Sequence, residues 1–137
     1  MFRNIINYFL LIRIWQWLKN LIVFTIPIGF GTSDMELILK IVISFFGISF
    51  IASSIYILND IKDINSDCSH PFKKNRPIAS GEIETNNAII YSVFLLITGL
   101  LILRFINLDT FILGSLYFVG GLSVSYTHLT LPTILLV

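Results

Sequence analysis

The fold of this chain is decided by an apolar run that ends abruptly in a polar segment. Residues 37–58 read LILKIVISFFGISFIASSIYIL, and residues 59–67 read NDIKDINSD. The apolar run is long enough to cross a bilayer, whose hydrocarbon core needs about 20 residues of helix. The polar segment carries carboxylates at Asp60, Asp63 and Asp67. Offsets of three and seven residues return to nearly the same angle on a helix, so we predict a row of acids at the membrane edge.

The composition indicates an integral membrane protein. The 137-residue chain is 55% hydrophobic and only 12% charged, which leaves too little polar surface for a soluble domain. Its net charge is +1, and no basic run with interleaved aromatic residues favours nucleic acid, so we expect no nucleic-acid partner. The single cysteine, Cys68, cannot form an intrachain disulfide.

Three further apolar spans accompany residues 37–58. The first runs from about Trp17 to Gly31 and should be kinked at Pro27. The third runs from about Ala88 to Leu103, with Thr85 as its expected N-cap. The fourth begins near Thr110, and its glycines would allow close helix packing; they are Gly114, Gly120 and Gly121. The expected fold class is all-α, a polytopic transmembrane helix bundle with about four helices present.

Loop charges predict the orientation of these spans. Basic residues precede the first span or lie between the second and third; they are Arg3, Arg13, Lys19, Lys62, Lys73, Lys74 and Arg76. The other two connections contain no lysine or arginine. The positive-inside rule therefore places the N-terminus and residues 59–84 in the cytoplasm. We expect a multi-pass protein of the cell (inner) membrane, whose two polar clusters form one site on the cytoplasmic face.

The last residues of the chain differ in character from the rest. Residues 125–137 read SYTHLTLPTILLV, which resembles translated read-through of a sequencing adapter. We therefore expect residues 1–124 to be the N-terminal half of a transmembrane domain and residues 125–137 to be a non-native or truncated tail. The alternative is an ordinary short C-terminal segment.

The acidic row predicts a metal site. Two unit charges about 4 Å apart interact by roughly 4 kcal/mol at an effective dielectric near 20, so three neighbouring carboxylates should either have raised pKa values or bind a cation. Oxygen ligands suit Mg²⁺, which commonly links a few carboxylates to substrate phosphates. We predict that Asp60, Asp63 and Asp67 bind Mg²⁺ and act in catalysis, and that Asn59 offers its amide to a phosphate or sugar. The alternative is a solvated helix face.

Basic and amide side chains near the row suit anionic substrates. Pro77 disfavours helix at the preceding Arg76, so the following loop can fold back over the acids. Lys73 and Arg76 would then bind phosphate oxygens, although a loop that only sets topology is the alternative. Residues 13, 16, 17 and 20 share one helical face, flanked by Lys19. We predict substrate binding by Lys19 and Asn20, because polar groups this near the bilayer usually face a bundle interior.

At these residues the chain resembles the UbiA superfamily of intramembrane prenyltransferases, most closely its decaprenyl-phosphate phosphoribosyltransferase branch. The resemblance covers about residues 13–124 and rests on Gln16-Trp-Leu-Lys-Asn20, Asn59-Asp-Ile-Lys-Asp63, Asp67, His70-Pro71, Lys73 and Arg76-Pro-Ile-Ala-Ser-Gly81. Ile14 and Asn75 depart from the usual pattern, and the second Asp-rich motif of the family is absent. The resemblance implies a nine-helix bundle of which this chain supplies the N-terminal part, so we expect the isolated chain to be inactive.

The resemblance also implies a reaction. It is the Mg²⁺-dependent transfer of 5-phosphoribose from phosphoribosyl pyrophosphate to a polyprenyl (decaprenyl) phosphate, with release of pyrophosphate, in cell-envelope precursor synthesis. A first alternative is a prenyltransferase that moves an isoprenoid from its diphosphate to an aromatic or other acceptor. A second alternative is a non-catalytic membrane fragment.

Overall fold

The computed structural model describes residues 2–25, 29, 31 and 34–134, with side chains described for 6–25, 29, 31 and 34–125. These residues form helices and turns and contain no strand, so the all-α prediction is confirmed. The α-helices are α1 (Phe2–Ile12), α2 (Met35–Lys62), α3 (Ile64–Ser69), α4 (Thr85–Ile106) and α5 (Leu108–Ile134). Two 3₁₀ helices span Ile14–Phe24 and Lys73–Asn75.

Three helices are long and apolar enough to cross a membrane. Within the described residues they are Met35–Lys62, Thr85–Ile106 and Leu108–Ser125, which correspond to the predicted second, third and fourth spans. Of the predicted first span, residues 17–24 belong to the 3₁₀ helix Ile14–Phe24, and residues 26–28 and 30 lie outside the described part of the chain. Pro27, where we predicted a kink, lies outside the described residues.

The ends of the long helices show how local sequence sets their boundaries. Asp34 caps α2, because its carboxylate accepts a hydrogen bond from the Glu36 backbone N–H at 3.0 Å. The prediction of Thr85 as the N-cap of α4 was wrong by one residue: Glu84 precedes the helix in extended conformation and Thr85 is its first residue. The turn between α4 and α5 depends on Asn107, whose Oδ1 accepts from the Thr110 N–H at 2.7 Å.

Glycines let α2, α4 and α5 pack at close range. A Cβ atom on Gly99 of α4 would lie 2.7 Å from the backbone oxygen of Gly47 on α2. On α5, a Cβ at Gly114 would collide with Leu103, and one at Gly121 would lie 2.7 Å from Ile55. No atom of the described residues lies within 4 Å of the Cβ position of Gly120, so this glycine does not contribute to the close packing. Close packing was therefore correctly predicted for two of the three glycines on α5.

Hydroxyl groups hold the N-terminal helices to α2. We call Ser49, Ser53, Ser54 and Ser92 the serine seam; all four are buried. The Ser54 and Ser92 hydroxyls lie 2.9 Å apart and join α2 to α4. Ser53 donates to the Ile12 carbonyl at 2.7 Å, so the end of α1 is held against α2. The polar end of α2 is thereby brought beside the junction between α1 and the first 3₁₀ helix.

Candidate active site

The three aspartates do not lie in one helical row. Helix α2 ends at Lys62, and Asp63 occupies the turn before α3 with φ −91° and ψ 8°. Asp60 and Asp67 are buried, with 6% and 1% of their surface exposed, whereas Asp63 is exposed. No group of three His, Cys, Asp or Glu residues suited to a metal occurs in the described part of the chain. The predicted row was wrong because the helix breaks at its middle member.

The two buried aspartates are joined by arginines. Arg76 places Nη1 3.0 Å from Asp60 Oδ1 and 2.6 Å from Asp67 Oδ2, so a single guanidinium nitrogen bridges both carboxylates. Arg13 places Nη2 2.6 Å from the same Oδ1 of Asp60. We call Arg13, Asp60, Asp67 and Arg76 the arginine–aspartate cluster. Its two positive and two negative charges balance, as burial at a membrane edge requires.

The loop after α3 places Arg76 beside the buried aspartates, as the sequence predicts. Arg76 has an extended backbone (φ −65°, ψ 143°) before Pro77. Beyond it, Ile78 and Ile83 are buried and fix the loop to the helices. Gly81 adopts φ 75°, a conformation that glycine takes without strain, and this turn closes the loop. The prediction that this segment folds back over the acids is confirmed for Arg76.

Arg13 belongs to the site although we had not predicted a site role for it. Among the described non-glycine residues it alone has a positive φ, with φ 52° and ψ 53°, between α1 and the first 3₁₀ helix. Its guanidinium carbon also lies 5.6 Å from the centre of the Tyr56 ring. The available signal was its place on the same polar face as Trp17 and Asn20, whose side chains donate to seam serines on α2 at 3.0 and 3.1 Å.

Lys19, Asn20 and Asn59 lie outside the arginine–aspartate cluster. Asn20 donates to Ser49, so it contacts the serine seam. Lys19 is exposed and has no hydrogen bond or ion pair to the described part of the chain. Asn59 is half-buried, and its backbone carbonyl accepts from the Asp63 N–H at 2.9 Å. The structure therefore brings Arg76, Asp60 and Asp67 together but leaves these three predicted residues apart from them.

One carboxylate oxygen in the cluster lacks a hydrogen-bond donor. Asp67 Oδ1 is buried without a partner among the described residues, and Lys73 Nζ is 3.9 Å from it. An unsatisfied carboxylate oxygen near a second carboxylate is the kind of ligand that a hard cation accepts, whereas the Lys73 ammonium is a cation itself and cannot be a ligand. Asp60 and Asp67 therefore offer oxygen ligands of the type that Mg²⁺ prefers, with Asp63 as an exposed third, while Arg13, Arg76 and Lys73 supply the positive charge that now faces the two buried carboxylates.

A cavity of about 700 Å³ opens on one side of the cluster. Three of its charged lining groups belong to the cluster: Arg13, Asp60 and Arg76. Its other lining residues are Ile6, Phe9, Leu10, Ile14, Trp15, Gln16, Phe72, Asn75 and Pro77. Asp67 and Lys73 do not line it. The charged groups therefore face an open cavity with mostly apolar walls, as a bound amphiphile would require.

Comparison with known families identifies the family of this chain. The model of the UbiA prenyltransferase family matches residues 20–136. The chain belongs to this family. It is therefore a multi-pass membrane protein of a transferase family, as its three apolar helices also indicate.

Individual relatives of this UbiA family chain carry different names. Decaprenyl-phosphate phosphoribosyltransferase of Mycobacterium tuberculosis is 35% identical over 94 residues, which cover 65% of this chain and 31% of the relative. Digeranylgeranylglyceryl phosphate synthase of Methanocaldococcus jannaschii is 40% identical over 78 residues, with coverages of 56% and 27%. Protoheme IX farnesyltransferase of Macrococcus caseolyticus is 32% identical over 90 residues, with coverages of 66% and 29%. The chain spans less than two fifths of the length of each relative.

Proposed function

We propose that this chain supplies part of the active site for Mg²⁺-dependent transfer of 5-phosphoribose from phosphoribosyl pyrophosphate to a polyprenyl (decaprenyl) phosphate, with release of pyrophosphate. The site would lie at the cytoplasmic face of the cell membrane and serve cell-envelope precursor synthesis. One observation carries the proposal: Arg76 bridges two buried carboxylates at the end of a membrane helix, with Lys73 3.9 Å from an unsatisfied carboxylate oxygen. Anionic phosphates and a divalent cation are the ligands that such alternating charges suit.

The carboxylates, through Mg²⁺, and the basic side chains beside them would together bind the pyrophosphate group of the donor. Asp60, Asp63 and Asp67 are the residues that would hold Mg²⁺, which stabilises developing phosphate charge when it is bound. Lys73 and Arg76 would contact phosphate oxygens, the first as a point charge and the second through its planar fork. Asn59 would orient the ribose or a phosphate through its amide. The lipid phosphate is already an anion, so no protein group has to remove a proton from it.

A second candidate is transfer of an isoprenoid from its diphosphate to an aromatic or other acceptor. It is favoured by the similarity to proteins named digeranylgeranylglyceryl phosphate synthase and protoheme IX farnesyltransferase. Either reaction would use the cluster to hold a diphosphate leaving group. The two candidates differ in which substrate carries that group.

Radiolabelled substrates distinguish the candidates. The full chain in nanodiscs is incubated with Mg²⁺, a polyprenyl phosphate and phosphoribosyl pyrophosphate labelled in the ribose, and the lipid fraction is separated by thin-layer chromatography. Label in the lipid supports phosphoribosyl transfer, and Asp67→Asn should lower it about 100-fold or more, because charge stabilisation at the leaving group is lost. Asp109→Asn, at the start of α5, is the matched control and should retain the wild-type rate. Consumption of a prenyl diphosphate instead supports the second candidate.

If the chain alone does not convert substrate to product, a binding measurement distinguishes the two candidate reactions. A ligand that binds only the folded protein raises its melting temperature. Phosphoribosyl pyrophosphate with Mg²⁺ should therefore raise the Tm of the wild-type chain, and the same ligands should leave that of Asp67→Asn unchanged. If neither this donor nor a prenyl diphosphate shifts the Tm with Mg²⁺, the chain is a non-catalytic fragment.

A further inference from the structure

The arginine–aspartate cluster has two sides with different chemistry. Asp67 and Lys73 lie on the side where we placed the pyrophosphate group of the donor. Arg13 lies on the other side, where it lines the 700 Å³ cavity together with Asp60 and Arg76. The proposed donor site therefore leaves both Arg13 and the cavity unused.

The charged end of the cavity is suited to a phosphate monoester. Two guanidinium groups there face a single carboxylate. Arg13 contacts Asp60 through Nη2 alone, and Arg76 makes its carboxylate contacts through Nη1 alone. A guanidinium carries five N–H donors, so both arginines keep donors for a ligand. A planar pair of such donors matches phosphate oxygens better than a lysine does.

The remainder of the cavity is suited to a hydrocarbon chain. Helix α1 contributes Ile6, Phe9 and Leu10, and the neighbouring segments contribute Trp15 and Phe72. These large apolar side chains are all more than half exposed. The hydroxyl groups of a sugar would find no hydrogen-bond partners on such walls, whereas an isoprenoid would bury their apolar surface. The cavity has two arginines at one end and an apolar wall at the other, which matches the phosphate and the hydrocarbon chain of a lipid phosphate.

The backbone of Arg13 supports a functional role for this end of the cavity. A left-handed conformation is unfavourable for a residue with a Cβ atom and persists where surrounding contacts impose it. Here the ion pair with Asp60 and the Tyr56 ring hold the side chain in place. Arg13, which directly follows α1, therefore presents its guanidinium group to the cavity.

We propose that the cavity between α1 and the 72–77 loop binds the acceptor, a polyprenyl monophosphate, with its phosphate on Arg13 and Arg76 and the first part of its hydrocarbon chain along α1. This inference rests on the proposed function. It assigns the acceptor to the Arg13 side of the cluster and the donor to the Asp67 and Lys73 side, with Arg76 between them.

Fluorescence of a single tryptophan tests this location. The chain contains two tryptophans, of which Trp15 lines the cavity and Trp17 packs against Ser53 and Phe50. Trp17→Phe therefore leaves Trp15 as the sole reporter, and Trp15→Phe provides the matched control. Titration of the full chain in nanodiscs with a polyprenyl monophosphate should give a saturable change for Trp15 and none for Trp17. Bound radiolabelled lipid is measured in the same samples.

Substitution of Arg13 tests the charge. In the Trp17→Phe background, Arg13→Gln should weaken lipid phosphate binding about tenfold or more, the usual effect of losing a hydrogen bond to a charged group. Arg13→Lys should restore part of the affinity and shows that the loss is not a folding defect. Arg104→Gln removes an exposed arginine from α4 and should leave binding unchanged. Neutral polyprenol and inorganic phosphate should each bind far more weakly than the monophosphate.

Several outcomes would overturn the inference. Radiolabelled lipid that binds without a change at Trp15, or equally well to Arg13→Gln, places the acceptor elsewhere and leaves the proposed reaction intact. Equal binding of polyprenol removes the role of the two arginines. If the monophosphate does not bind while a prenyl diphosphate binds with Mg²⁺, both this inference and the proposed phosphoribosyl transfer fail.

Discussion

The serine seam and the arginine–aspartate cluster are both buried and polar, yet they are built differently. In the seam, Ser54 and Ser92 exchange hydrogen bonds across α2 and α4 and carry no charge. In the cluster, Arg13 and Arg76 share one oxygen of Asp60, a cavity opens beside them, and one oxygen of Asp67 has no donor among the described residues. The seam is closed and satisfied, so it serves packing. The cluster is open and incompletely satisfied, which is the state in which a buried polar group can bind a ligand.

The largest expected effect on stability comes from breaking the cluster. Arg76→Gln leaves two buried carboxylates without their shared cation and should lower the free energy of unfolding by about 3–5 kcal/mol. Chemical denaturation in detergent micelles measures this. Arg104→Gln, which removes an exposed arginine, should change stability by less than about 0.5 kcal/mol. Equal effects of the two substitutions would show that the cluster is solvated. The cluster would then not be a buried charged site distinct from the serine seam.

An intermediate effect should come from filling the gap between α2 and α4. Gly99→Ala places a methyl group 2.7 Å from the Gly47 backbone oxygen, and overpacking of this kind costs about 1–3 kcal/mol. Gly120→Ala is the control, because nothing lies within 4 Å of its Cβ position. The same denaturation assay compares them. A stable Gly99→Ala variant would mean that the two helices are packed less closely than the structure shows.

The smallest effect should come from the seam itself. Ser92→Ala removes a neutral hydrogen bond to Ser54, and interhelical bonds of this kind in membranes contribute about 0.6 kcal/mol. A double-mutant cycle with Ser54→Ala isolates the coupling between the two hydroxyls. A coupling energy as large as the effect of Arg76→Gln would show that hydroxyl pairs and ion pairs contribute equally to this fold.

The sequence predicted the class of fold and most of the charged groups, and it failed on their arrangement. The Leu37–Leu58 run and the loss of helix at Arg76 follow from local rules of hydrophobicity and proline sterics, and both are confirmed. The row of three acids assumed that α2 continues past Asp63, whereas the helix ends at Lys62. Helix ends are the least certain feature of a sequence-based assignment, because the spacing of side chains does not report a local change of backbone conformation such as that at Asp63.

The metal site remains a prediction. Sequence spacing could not show which basic side chain of the N-terminal segment pairs with the aspartates. Arg13 lies 47 positions before Asp60, so the contact between them depends on how α1 is held to α2 through Ser53. Lys19 and Arg13 are both basic residues of the N-terminal segment before α2. In the structure Arg13, with its left-handed backbone, contacts Asp60, whereas Lys19 is exposed.

Hydrophobicity alone determined that this chain enters a membrane, because burial of apolar residues in lipid depends on their number and order, and the sequence places most of its charges on one side of the apolar helices. Tertiary packing decided which charges meet: α2 and α4 approach at Gly47 and Gly99, the loop folds back at Arg76, and Asp60 is left between two arginines. An ion pair between distant residues forms only where packing brings them within a few ångströms, and that distance is a property of the folded chain.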